Sequence, residues 1–225
     1  MINASAWRRY IDRLAKISDT AKAAMLKWID QHGLEDMAGL VDYAYAIATK
    51  YGEASSALSA AMYDATAELE HSILDPAEPA ETASYATVRK AVMGTAKTMN
   101  PAIVAGAVAR LVKRAGADTT LKNAKRDRVE YAWIAVGDTC PYCLALAAEG
   151  WHRGGDMDKG HADHIHANCN CEYSVRFSKR GGVAGYDPEQ YRRMLENAEG
   201  DTMTEKINAL RREAYHDNGT EEIEI

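Results

Sequence analysis

All four cysteines of the chain and four of its seven histidines fall between Asp138 and Cys171, in DTCPYCLALAAEGWHRGGDMDKGHADHIHANCNC. Cys140 and Cys143 form a C-x2-C knuckle, and His166, Cys169 and Cys171 form H-x2-C-x-C some two dozen residues later. Thiolate and imidazole ligands arriving in two tight clusters can close one tetrahedral zinc site across a long loop. A closed structural site needs four ligands and five candidates are present, so the expected set is Cys140, Cys143 and His166 with one or both of Cys169 and Cys171. A site closed entirely by protein ligands leaves no position for water, which makes the expected ion structural rather than catalytic. The competing readings are disulfides or buried thiols, and a redox pair at the start of a helix that Pro141 would open. In a reducing cytoplasm four clustered cysteines point to a metal sooner than to disulfides.

The remaining histidines of the segment, His152, His161 and His164, read as polar loop residues. Asp163 and His164 also resemble the Asp-His pair that follows a zinc knuckle in HNH-type nucleases, where the histidine activates water. Those enzymes then need a helix carrying an asparagine and a last histidine, whereas this chain passes directly into CEYSVRF. An HNH-like metal-dependent nuclease is therefore the alternative reading. No phosphate-cradling glycine motif, nucleophile elbow or H-E-x-x-H helix occurs elsewhere.

Two strands must bracket the metal loop. VEYAWIAV, residues 129–136, is β-branched and aromatic, and CEYSVRF, residues 171–177, alternates, so an antiparallel pair is expected. Upstream the periodicity is helical, with Trp7, Tyr10, Ile11 and Leu14, then Met25, Trp28 and Ile29, then Leu40, Val41, Ala44 and Ile47. Helix ends are expected at Asp19-Thr20, Gly33 and Gly52, with a further helix from Glu53 to His71. DPAEPAE, residues 75–81, reads as a linker. Ser84 to Met99, Pro101 to Ala115 and a short piece ending near Asp127 complete a helical domain over 1–128. A zinc-binding module follows at 129–177. Pro188 to Asn197 and Thr204 to Tyr215 form C-terminal helices in 178–225, before an acidic tail.

The class is mainly α, with a small α+β zinc-stabilised module. At 225 residues, 47% of them apolar and only one a phenylalanine, the chain favours close-packed helices over a strand-rich sandwich. A net charge of −6 argues against wholesale capture of nucleic acid. The locally basic stretch 110–128 reads first as a solvated helix face. A zinc-containing nucleic-acid-binding module that uses this stretch is the second alternative. No run of about 18 apolar residues occurs and MINASAWRRY lacks a signal core, so a protein made in a cytoplasm, with no membrane contact, is expected.

GDTCPYCLALA after an aromatic strand, a Gly-rich insert, HANCNC and a second strand together resemble the phage head-morphogenesis or minor capsid proteins of the Mu F type. Their second cluster is often HPNCRC, and this chain has Ala167 and Asn170 at the two variable places. ADTTLKNAKRD, YGEASSALSAAMYD and GYDPEQYRRMLENA resemble the surroundings found in that family's branch in phages of Gram-positive hosts. The resemblance implies a structural virion protein in few copies, associated with the portal or the inner face of the capsid. It implies portal or major capsid protein as partners, with packaged DNA at most a weak contact, and neither catalysis nor a small-molecule substrate.

Overall fold

The structure is a computed structural model that describes residues 1–136, 139–157, 165 and 171–219, with side-chain surroundings up to residue 213. Four helices come first: α1 (Ala4–His32), α2 (Met37–Leu69), α3 (Tyr85–Ala96) and α4 (Pro101–Asp127). Their starts follow from side chains that satisfy orphan backbone donors. Asn3 Oδ1 accepts from Ala6 N at 2.8 Å, Ser84 caps α3, and Asn100 Oδ1 accepts from Ala102 N at 3.0 Å ahead of Pro101. Gly33, at φ 77°, ends α1.

Three expected breaks do not occur. Thr20 bonds back to the Lys16 carbonyl at 2.7 Å, which keeps it inside α1, while Ala21 and Met25 extend the buried stripe. Gly52 lies in the interior of α2, where a Cβ would stand 2.9 Å from the Thr82 methyl. Gly116 lies in the interior of α4, where a Cβ would stand 2.6 Å from Ser55 Oγ and 2.8 Å from Ser59 Oγ. Gly52 makes room for the strap at Thr82 and Gly116 lets α4 approach α2 closely, so their role is packing rather than termination.

Met25, Leu40, Val88, Val92, Val104, Val108 and Val112 are essentially inaccessible and form the main core among the four helices. Valines at i and i+4 on α3 and α4 present flat, stiff faces suited to this spacing.

Residues 72–84 contain no helix or strand, yet they are held along the α2–α4 seam by side chains. Asn123, fully buried, accepts from Glu78 N at 2.9 Å and donates to Glu78 O at 2.9 Å. Thr119 Oγ1 accepts from Ala80 N at 2.9 Å, Asp64 accepts from Ala77 N at 2.8 Å, and Ser56 Oγ donates to Ala80 O at 3.2 Å. Arg126 donates to the carbonyls of Pro76 and Asp75, both at 3.0 Å. Two prolines prevent this strap from joining a sheet, and the helices supply the partners that a neighbouring strand would have given.

Beyond α4 the expected strands form and pair: β1 (Glu130–Ile134) and β3 (Glu172–Arg176) are antiparallel, with Glu130 opposite Arg176 and Ile134 opposite Glu172. A third strand, β2 (His152–Arg153), pairs with Glu130 and Tyr131 on the other side, giving the order β2-β1-β3. Gly154 then donates to the Val129 carbonyl at 2.8 Å. A Cβ there would collide with the Ala124 backbone at 2.1 Å, so only glycine permits this approach to α4.

The turn after β3 is tied to the helices by Glu70, whose side chain is 2% exposed and accepts from Phe177 N, Ser178 N and Gly182 N at 2.8–3.1 Å. Ile2 bridges Val183 in the same region. Two further helices, α6 (Pro188–Asn197) and α7 (Met203–Gly219), pack against α5 (Pro141–Ala148), as Tyr186 Oη and Arg192 Nε bond the carbonyls of Ala147 and Ala148 at 2.7 and 2.8 Å.

Candidate functional site

The antiparallel register of β1 and β3 decides where the cysteines meet. Ile134 at the end of β1 is opposite Glu172 at the start of β3, so the chain leaving β1 for Cys140 and the chain entering β3 through Cys171 share one end of the sheet. Thr139 Oγ1 lies 3.6 Å from Cys171 Sγ, which brings the two cysteine clusters of the sequence into contact.

Cys140 is the N-cap residue of α5 and Pro141 occupies its first turn. Cys143 follows at the third helical position, so both thiols lie at the N-terminal end of the helix. Leu144 N donates to the Cys140 carbonyl at 3.1 Å, which closes the first turn. Cys143 is 1% exposed, Cys171 is buried and Cys140 is half-buried. All three pack in one cluster with Trp133, Met157 and Ile165, against Ala117 and Leu121 of α4. No disulfide joins them to one another.

Of the five expected ligands the structure therefore brings Cys140, Cys143 and Cys171 together. His166 and Cys169 lie outside the described residues, as do Asp163, His164 and His161. Among the described residues no group of three or more histidine, cysteine or acidic side chains is arranged to hold an ion. Soft sulfur donors at a helix start, in a dry cluster, are nonetheless the donor chemistry that zinc takes.

One buried ionisable group at this end of the sheet carries no motif in the sequence. Glu172, beside Cys171, is 4% exposed, and its Oε1 accepts from Tyr173 N at 2.7 Å. Burial pushes its carboxyl up to about 8, against the Tyr173 hydrogen bond and the nearby Lys113 charge. The alternation of CEYSVRF suggested one buried face, but Glu172 and Ser174 on the other face are buried too. The signal was weak: a strand covered on both sides differs from an alternating one only in what packs against it.

The other candidates resolve into structure. His152 pairs with Glu149 at 3.2 Å on the surface, and that hydrogen bond raises its affinity for a proton. The basic stretch 110–128 is the second half of α4. Arg114 pairs with Asp118 at 3.2 Å and Lys122 with Glu78 at 2.9 Å, while Arg126 holds Asp127 and the strap. These three cations pair within the helical part and with the strap that packs on it. Among the described residues no helix is long and apolar enough to cross a membrane.

Residues 1–198 fit the model of a family described as VG15 protein. No curated protein matches the chain, and no solved structure does.

Proposed function

This chain belongs to the VG15 protein family, a family of viral (phage) proteins, and on that premise we propose that it is a minor capsid or head-morphogenesis protein of the Mu F type. In this reading it acts in low copy at the portal or the inner capsid surface, as a structural component without catalytic activity. The observation that carries it is the register of β1 and β3, which gathers the C-x2-C knuckle and Cys171 into one buried cluster at one end of a small sheet. That is the arrangement expected of the two-cluster signature in the head-morphogenesis proteins that the sequence resembles.

Cys140, Cys143 and His166, with one or both of Cys169 and Cys171, would hold a structural zinc ion. The ion would supply folding free energy to a module too small to rely on its own core. The protein's own residues do the remaining work. Ala117 and Leu121 seat the cysteine cluster on α4, and Glu70 and Ile2 bind the turn after β3 to the helices, so the module presents a fixed surface to a partner.

Co-purification tests the partner directly. Portal assemblies isolated from cells in which heads are forming should carry this chain, and it should be lost when Cys143→Ser collapses the module. Portal preparations free of the wild-type chain, with the chain recovered only on nucleic acid, would contradict the assignment.

A further inference from the structure

At the end of α2 the chain displays an apolar knob. Ile73 is fully exposed, with Leu69 and Leu74 beside it 51% and 39% exposed. This is no slack loop. Ser72 N and His71 N donate back to the Ala67 and Glu68 carbonyls at 2.9 and 3.0 Å, and Arg126 clamps the carbonyls of Asp75 and Pro76 on the other side. A rigid turn thus holds an aliphatic side chain out in water, flanked by the exposed carboxylates of Glu68 and Asp75.

A matching hollow lies elsewhere on the same chain. It is a cavity of about 170 Å³ lined by Trp7, Val136, Val183, Tyr186, Tyr191 and Arg8, among others. It is below the size of pockets for drug-sized ligands and well above that of a single water. The buried indole N–H of Trp7 has no acceptor among the described residues. Arg8 is exposed, and no ion pair is found for it among the described residues.

We propose that this chain self-associates by seating the Ile73 knob of one copy in the Trp7–Tyr186–Tyr191 cavity of another, with Glu68 and Asp75 facing Arg8. Size and charge both favour a second copy: an aliphatic knob beside two carboxylates meets a hollow lined by aromatic and aliphatic side chains with Arg8 among them. Burial of the knob supplies the attraction, and the opposed charges set orientation and encounter rate. The contact is small, so it is weak between free molecules and gains strength where several copies are held close together.

Sedimentation velocity of the full chain over a wide dilution series tests this. The wild type should associate as concentration rises. Ile73→Asp and Arg8→Glu, both at exposed positions that leave the fold intact, should each weaken association by about tenfold or more. An equimolar mixture of these two variants should regain association, because the intact knob of the Arg8→Glu copy meets a cavity that keeps its arginine in the Ile73→Asp copy, which restores one contact. A wild type that stays monomeric at its highest soluble concentration would overturn the proposal. So would single variants that associate as the wild type does, or a mixture that remains monomeric. A monomeric wild type whose portal binding is lost in Ile73→Asp would assign the knob to the portal instead.

Discussion

Cys143→Ser is expected to release about one zinc ion per chain and to loosen the module, while leaving most of the helical circular dichroism unchanged. Cys143 is 1% exposed and shares its cluster with Trp133, Cys140 and Cys171, so losing its thiolate removes a metal ligand and places a hydroxyl among apolar groups. The cost to local opening of the module should be on the order of 3–5 kcal/mol, since loss of a structural metal ranks among the largest single-residue effects. The helices α1 to α4 have a separate core built on Met25, Leu40 and the valines of α3 and α4, which is why their signal survives. Trp133, 3% exposed, reports the change as a red shift in fluorescence. Chelation of the wild type should reproduce both effects. Metal-free protein that melts as the native form does would rule out the structural ion.

The second large effect is expected at Asn123, which no candidate-site reasoning singled out. Its amide oxygen accepts from Glu78 N at 2.9 Å, and its nitrogen donates to Glu78 O at 2.9 Å and to Thr119 O at 2.8 Å. Asn123→Ala strands the Glu78 peptide group against the helices without a protein partner and leaves a cavity. A hydrogen bond contributes about 0.5–1.5 kcal/mol and the cavity adds to the loss, so a total of about 2–4 kcal/mol in urea unfolding is expected. Faster amide exchange at Glu78 should accompany it. The neighbouring Lys122 serves as the control. Its ion pair with Glu78 is largely solvent-exposed, so Lys122→Ala should change stability by less than about 1 kcal/mol. Equal effects at the two positions would mean that the strap is not held by buried hydrogen bonds.

What was legible in the sequence, and what was not, follows from the range over which each signal acts. Caps and turns are local, so Ser84, Asn100 with Pro101, and Asp187 with Pro188 placed three helix starts closely. The β-branched and aromatic runs marked β1 and β3, and their antiparallel pairing followed from the loop between them. Gly52 was misleading because the same residue serves to end a helix or to let a neighbouring segment approach, and only the strap packed on it at Thr82 decides. Thr20 misled for a related reason, since its hydroxyl bonds back to a carbonyl of its own helix and need not cap a new one.

β2 escaped notice because two exposed polar residues, His152 and Arg153, carry no strand pattern. Main-chain pairing with Glu130 and Tyr131 makes them a strand. The strap was readable as non-helical from its prolines, but its fixation by Asn123, Thr119 and Arg126 depends on contacts more than thirty residues away in sequence. At the candidate site, spacing marked Cys140, Cys143, His166, Cys169 and Cys171, and of these the described residues Cys140, Cys143 and Cys171 share one cluster. The buried carboxyl of Glu172 emerged only once both faces of β3 were seen to be covered.

The measurement that bears most directly on the proposed role is the number of copies of this chain in purified procapsids and mature particles, obtained by quantitative mass spectrometry against the shell protein. A low-copy head-morphogenesis protein should be present in assembling heads at a copy number well below that of the major capsid protein, and should co-isolate with the portal when particles are disrupted. Absence from both procapsids and mature particles, or a stoichiometry equal to that of the shell protein, would contradict the account.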